Sequence, residues 1–171
     1  MRKQSILIVD DEVNVLNTLK RIFRTEDYII FTAQSAKDGL YVLEKENVDL
    51  IISDQKMPVM DGLDFFEKTI EKYPDVIRII LSGYAELKDA LRAINKGCVY
   101  KFIVKPWNNE ELKITLKRAL EQRELILKNR FLTLELKIRD KILEELDKNY
   151  PDVTKKLIDN INNKPLNDKQ N

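Results

Sequence analysis

Carboxylates, one hydroxyl and one lysine stand at the ends of successive apolar runs in this chain. Ser5–Val9 closes on Asp10-Asp11-Glu12, and Leu50-Ile51-Ile52 closes on Ser53-Asp54. Val76–Leu81 closes on Ser82-Gly83, and Val99–Val104 closes on Lys105-Pro106. Taken singly, each has an ordinary explanation: Asp10-Asp11 as a helix cap, Asp54 as a turn former, Lys105 as a surface cation. Nothing about caps or turns requires all of them at the same kind of position. If they converge, two carboxylates about 5 Å apart repel by roughly 3 kcal/mol at an effective dielectric near 20. Such a cluster calls for a cation. A carboxylate held this way, with a hydroxyl donor and an ammonium at hand, has the makings of a covalent nucleophile that works by positioning and charge. The chain contains no histidine, which excludes imidazole catalysis, and its single cysteine makes a zinc site unfavourable.

The elements that must position these residues follow from apolar spacing. Strands are expected at 5–9, 28–32, 49–53, 76–81 and 99–104. Between them, helical spacing links Val15, Leu16, Leu19, Ile22 and Phe23. It recurs at Ala36, Leu40, Val42 and Leu43 (capped by Ser35), at Leu63, Phe65, Phe66 and Ile70, and at Leu87, Leu91 and Ile94. Pro58 and Asp61-Gly62 read as turn signals after Asp54. Strict strand–helix alternation implies a parallel sheet with right-handed crossovers and helices on both faces. Continuous apolar strands suit such double-sided burial. Asp10, Asp11, Asp54, Ser82 and Lys105 then share the carboxyl edge of the sheet, where open α/β folds place ligands.

From about Ile6 to Leu120 this pattern resembles the receiver domain of two-component response regulators. The resemblance rests on Asp10-Asp11-Glu12, the segment Asp54-x-x-Met57-Pro58-x-Met60-Asp61-Gly62, Ser82-Gly83 and Lys105-Pro106, in that order. It implies a flavodoxin-like, doubly wound, five-stranded parallel sheet of order 2-1-3-4-5. It further implies phosphorylation of Asp54 by a sensor histidine kinase with Mg²⁺. Asp11, Asp54 and the backbone carbonyl of Lys56 would be direct metal ligands, and Asp10 would act through a water. Lys105 and Ser82 would contact the phosphoryl group, with a cis peptide before Pro106 aiming Lys105. Phe102 would be the switch aromatic beside Ser82, and Lys56 and Tyr84 would tune phosphoryl lifetime. Trp107 and Cys98 read as packing residues. Three rivals fit less well. A haloacid dehalogenase-type phosphatase needs an acid where Lys56 stands. A flavin-binding flavodoxin needs a Ser/Thr/Gly-rich loop where Asp10-Asp11-Glu12 stands. A phosphorylation-independent pseudo-receiver scaffold would not need so complete a site.

Beyond the receiver, taken as residues 1–122, no Gly or Pro interrupts 108–150. Leu127, Phe131, Leu134 and Ile138, with Ile142 and Leu146 after a small slip, form a coiled-coil seam over an expected extension at 123–150, which implies a homodimer. A single amphipathic helix folding back on the receiver is the alternative. Val153, Leu157, Ile158 and Ile161 suggest one short helix at the head of a polar tail, 151–171. No helix-turn-helix or cyclase signature follows, so the output is expected from a downstream protein or a further domain of a larger regulator. Charged residues are 35% of the chain but balance to net +1, which argues against direct nucleic-acid binding. No apolar run reaches the roughly 18–20 residues of a membrane span. The N-terminus leads straight into a strand without a signal-peptide core, and a reducing, cytoplasmic setting is expected.

Overall fold

The structure is a computed structural model describing residues 2–83, 99–152, 155 and 156. Five parallel strands form one sheet of order β2-β1-β3-β4-β5. They are β1 (Gln4–Val9), β2 (Tyr28–Ala33), β3 (Leu50–Asp54), β4 (Ile77–Ser82) and β5 (Lys101–Val104). The helices are α1 (Val13–Phe23), α2 (Ala36–Lys45), α3 (Gly62–Ile70) and the long α4 (Asn109–Asn149). The expected order 2-1-3-4-5 is therefore the observed one. Strand limits move by one or two residues, and Asp54 is itself the last residue of β3, paired with Leu81. The helix expected around Leu87–Ile94 lies outside the described residues, as do Tyr84, Cys98 and the segment with Val153, Leu157, Ile158 and Ile161.

The pleat divides the apolar strands between two cores. Ile6, Ile8, Leu50, Ile52, Ile79 and Leu81 face Leu16, Leu19 and Phe23 of α1 and Leu112, Leu116 and Leu120 of α4. Leu7, Val9, Ile51 and Ile80 face the other way, onto Ala36 and Leu43 of α2 and Phe65 and Phe66 of α3. Successive side chains point to opposite faces, so a strand covered on both sides is apolar without a break. Trp107 packs against the first core, as expected, and half-buried Phe102 against the second. Ser35 caps α2 by accepting from the Asp38 N–H at 3.1 Å. Asn108 caps α4, its side-chain oxygen accepting from Glu110 and Glu111 N–H groups.

A compact unit comprises residues 1–125. At its amino edge, opposite Asp54, Asp49 is buried with 1% of its surface exposed. Arg2 donates to Asp49 Oδ1 at 2.5 Å and Arg123 of α4 at 2.8 Å. Oδ2 accepts from the Ser5 N–H at 2.9 Å and from its hydroxyl at 3.1 Å. Arg123 Nε also donates to the Asp75 carbonyl at 2.7 Å. One carboxylate thereby ties β1, β3 and α4 together.

The second unit, 126–171, is described here by the helix alone. α4 runs unbroken for 41 residues, about 60 Å. Beyond Leu125 its apolar side chains are exposed, Phe131 at 66% and Leu134 at 57% among them.

Removing a buried charge from its donors is costly, whereas a solvent-facing pair contributes little. Asp49→Ala is expected to cost about 2–4 kcal/mol in urea unfolding. Arg2→Ala, whose side chain is 53% exposed, should cost below about 1 kcal/mol. Equal losses would contradict burial as the deciding factor.

Candidate functional site

β1 and β3 are neighbours, so their last residues bring Asp10 and Asp54 together. β5 lies one strand beyond β4, and Lys105, just past its end, bridges that width with a long side chain. Lys105 Nζ lies 2.5 Å from Asp54 Oδ1 and 3.3 Å from Asp10 Oδ2. Backbone amides hold the remaining oxygens: the Lys56 N–H donates to Asp54 Oδ2 at 2.8 Å, and the Glu12 N–H donates to Asp10 Oδ1 at 2.8 Å. Asp10 is fully buried, and Asp54 and Ser82 nearly so. The Lys105–Pro106 peptide is cis, as the resemblance implied.

Burial pushes the Asp10 carboxyl above the usual carboxylate range, and the Asp54 charge adds to this. The Glu12 amide and Lys105 work against it without cancelling it. For Lys105, burial pulls the ammonium down, but hydrogen bonds and charge from Asp54 and Asp10 outweigh it and leave the group above its ordinary value. Both shifts follow from a crowded site in which, among the described residues, the Lys105 ammonium faces two carboxylates.

The capping explanation of Asp10-Asp11 does not hold. Glu12 is the N-cap of α1 and makes no side-chain cap bond, and Asp10 turns into the site. Asp11 is exposed next to it. Among the described residues no three acidic groups form a ready-made cation cluster. The donors present are nevertheless all oxygens: the Asp10 and Asp54 carboxylates, the Asp11 carboxylate one residue on, and the Lys56 backbone. That set suits a hard divalent cation and not a soft one. Ser82 ends β4 beside Val104, and its hydroxyl donates to the Gly83 carbonyl at 3.1 Å.

The loop after Asp54 is shaped by close approach. Asp61 and Gly62, read as turn residues, are the N-cap and first residue of α3; the Asp61 carboxylate accepts from the Asp64 N–H at 2.8 Å. The Gly62 N–H donates to the Gln55 carbonyl at 2.9 Å. A Cβ on Gly62 would stand 2.3 Å from the Asp54 carbonyl oxygen and 2.8 Å from Ile80 Cδ1. Val59, fully exposed, takes φ 73°, the left-handed region that a β-branched residue avoids. Two features escaped sequence reasoning: the Gly62 contact, and the Asp49–Arg123 anchor, whose partners are distant in sequence and carry no motif.

A parallel sheet of this order, with carboxylates and a lysine converging at its carboxyl edge, defines a class of signalling domain. The response regulator receiver domain family model matches residues 6–117, and this chain belongs to that family. It is 38% identical over 117 residues to the hydrogenase transcriptional regulatory protein HoxA of Bradyrhizobium diazoefficiens, covering 68% of this chain and 24% of that protein. It is 31% identical over 144 residues to HoxA of Cupriavidus necator, covering 84% and 30%. The chain thus spans about a quarter to a third of the length of these relatives. Among solved structures, the signal receiver domain of an HD domain-containing protein from Pseudomonas fluorescens Pf-5 superposes with TM-score 0.69 at 35% identity, over 72% of this chain and 98% of that one. NtrX from Brucella abortus gives TM-score 0.72 at 26% identity, over 84% and 34%.

Gly62→Ala should displace the Asp54 carbonyl and cost about 1–3 kcal/mol in urea unfolding. If the variant keeps full stability and modification kinetics, the close approach is not a constraint.

Proposed function

We propose that the chain is a phosphorylation-dependent receiver module, with Asp54 accepting a phosphoryl group from a sensor histidine kinase. The observation that carries this is the hold on Asp54: Lys105 Nζ at 2.5 Å on one oxygen and the Lys56 N–H at 2.8 Å on the other. Asp54 Oδ attacks phosphorus as the donor's N–P bond breaks, and the imidazole keeps the electron pair. Lys105 and Ser82 then take the new phosphoryl oxygens as partners. Asp11, Asp54 and the Lys56 carbonyl, with Asp10 through a water, would hold Mg²⁺, which would supply the charge neutralisation that lets two anions meet. Phe102 responds to the movement of Ser82, and Lys56 and Tyr84 set how easily water reaches the phosphoryl group.

The output lies in a further domain or a downstream protein, which the share of the relatives' length matched here supports. Similar proteins include transcriptional regulators and a solved chain described as an adenylate cyclase from Rhodopirellula baltica, at 28% identity and TM-score 0.73 over 77% of this chain. Among the described residues no helix is long and apolar enough to cross a membrane, in keeping with a cytoplasmic role. The chain pairs with a second copy through α4, whose exposed apolar residues gain roughly 1.5–3 kcal/mol each on burial.

Incubation with acetyl phosphate and Mg²⁺ should add one phosphoryl group by intact mass, and Asp54→Asn should add none. A full-rate gain by Asp54→Asn would place the acceptor elsewhere. Because Lys105 is a cation, Lys105→Ala and Ser82→Ala should bind Mg²⁺ about as well as the parent in a Trp107 fluorescence titration. A large loss of Mg²⁺ affinity in either would contradict their assignment to the phosphoryl group.

A further inference from the structure

The α4 helix carries two apolar stripes beyond the compact unit, and they differ in register. One is Leu127, Phe131, Leu134 and Ile138, after which the next seam positions, at spacings of three and four, are Lys141 and Glu145. The other resumes the seven-residue repeat after each of two polar positions. It places Leu125, Leu132, Arg139 and Leu146 at d positions and Asn129, Leu136, Leu143 and Tyr150 at a positions. Six of these eight are apolar. Corresponding positions of the two stripes are two residues apart, which at about 100° per residue sets them roughly 160° apart around the helix, so one two-stranded contact buries only one of them. Leu132 at 45%, Leu136 at 48% and Leu143 at 48% are as available as the first stripe.

Resting on the homodimer reading above, we propose that a second copy of this chain docks on the stripe Leu132, Leu136, Leu143 and Leu146 as a parallel two-stranded coiled coil. The stripe of Leu127, Phe131, Leu134 and Ile138 faces outward from that dimer. Three features favour this occupant and this face. The strict repeat continues past Arg139 to Leu143, Leu146 and Tyr150, whose N–H still bonds the Leu146 carbonyl at 2.7 Å, whereas the other stripe meets Lys141 and Glu145 in strict repeat and reaches Ile142 only by a slip. Asn129 stands at an a position, where in a parallel pair it meets its own copy and can hydrogen-bond it; an antiparallel pair would set its amide against an apolar d residue. The apolar side chains of two such stripes bury on the order of 1,000 Å², the size at which a specific interface becomes stable.

Arg139 makes the proposal sharp. In this register it faces its own copy across the seam, like charge against like, whereas in the other register it lies off the seam. All residues concerned are exposed in the single chain, so substitution leaves the fold intact. Sedimentation equilibrium on the full chain should show R139L dimerising at least about tenfold more tightly than the parent. Leu136→Asp should abolish the dimer, and Leu134→Asp should leave it within about twofold. Dimer loss by Leu134→Asp with Leu136→Asp harmless would overturn the face assignment and leave the dimer reading standing. Loss by both, with no gain from R139L, would also overturn it, since both stripes would then be buried. A parent chain and R139L that both stay monomeric would remove the dimer reading, and this inference with it.

Discussion

The site depends on one ammonium. Among the described residues Lys105 is the cation that comes within 3.3 Å of both Asp10 and Asp54, and without it these would leave two carboxylates buried side by side. Taking such charges out of water is expensive, and attraction to Lys105 repays it only because the geometry is close and backbone amides take the remaining lone pairs. This constrains the fold. β1, β3 and β5 must end within two residues of one another in register, β4 must separate the lysine from the carboxylates by one strand width, and the loop after Asp54 must turn tightly enough to deliver the Lys56 amide. The strand order is the means by which three distant parts of the sequence balance one another's charge.

That balance also bears on the proposed phosphorylation. Asp54 is engaged on both oxygens while Asp10 is poised above its ordinary proton affinity, so a new anion on Asp54 cannot enter without redistributing Lys105. Ser82 ends the strand that lies between Asp54 and Lys105, and its side chain is buried at that edge. Phe102 on the next strand is half-buried against the same core in which Phe65 and Phe66 are fully buried.

Much of this was legible in the sequence because it is written in local patterns. Strands covered on both faces appear as unbroken apolar runs, and the polar residues that end them mark the carboxyl edge. Asp10, Asp54, Ser82 and Lys105 were found that way. Interactions without a pattern were not found. Nothing near Asp49 or Arg123 announces that they meet, because burial of a carboxylate between remote guanidiniums is decided by tertiary packing. Gly62 looked like a turn residue because glycine serves both flexible turns and close approaches, and only coordinates separate the two. The long helix was legible as a helix, but its broad apolar surface hid two registers behind one seam.

The Asp49 anchor bears on where this domain ends. Helical spacing and family likeness both invite a boundary at about residue 120–122, after the last side chains that pack on the sheet. Arg123 is one residue further on and is, through Asp49 and the Asp75 carbonyl, as much a part of the fold as Leu120. A natural or engineered chimera that joins foreign sequence at 122 would keep every core residue and still strip a buried carboxylate of its better-shielded guanidinium. The usable junction lies past Arg123, and transplanted output modules need that turn of helix as part of the graft.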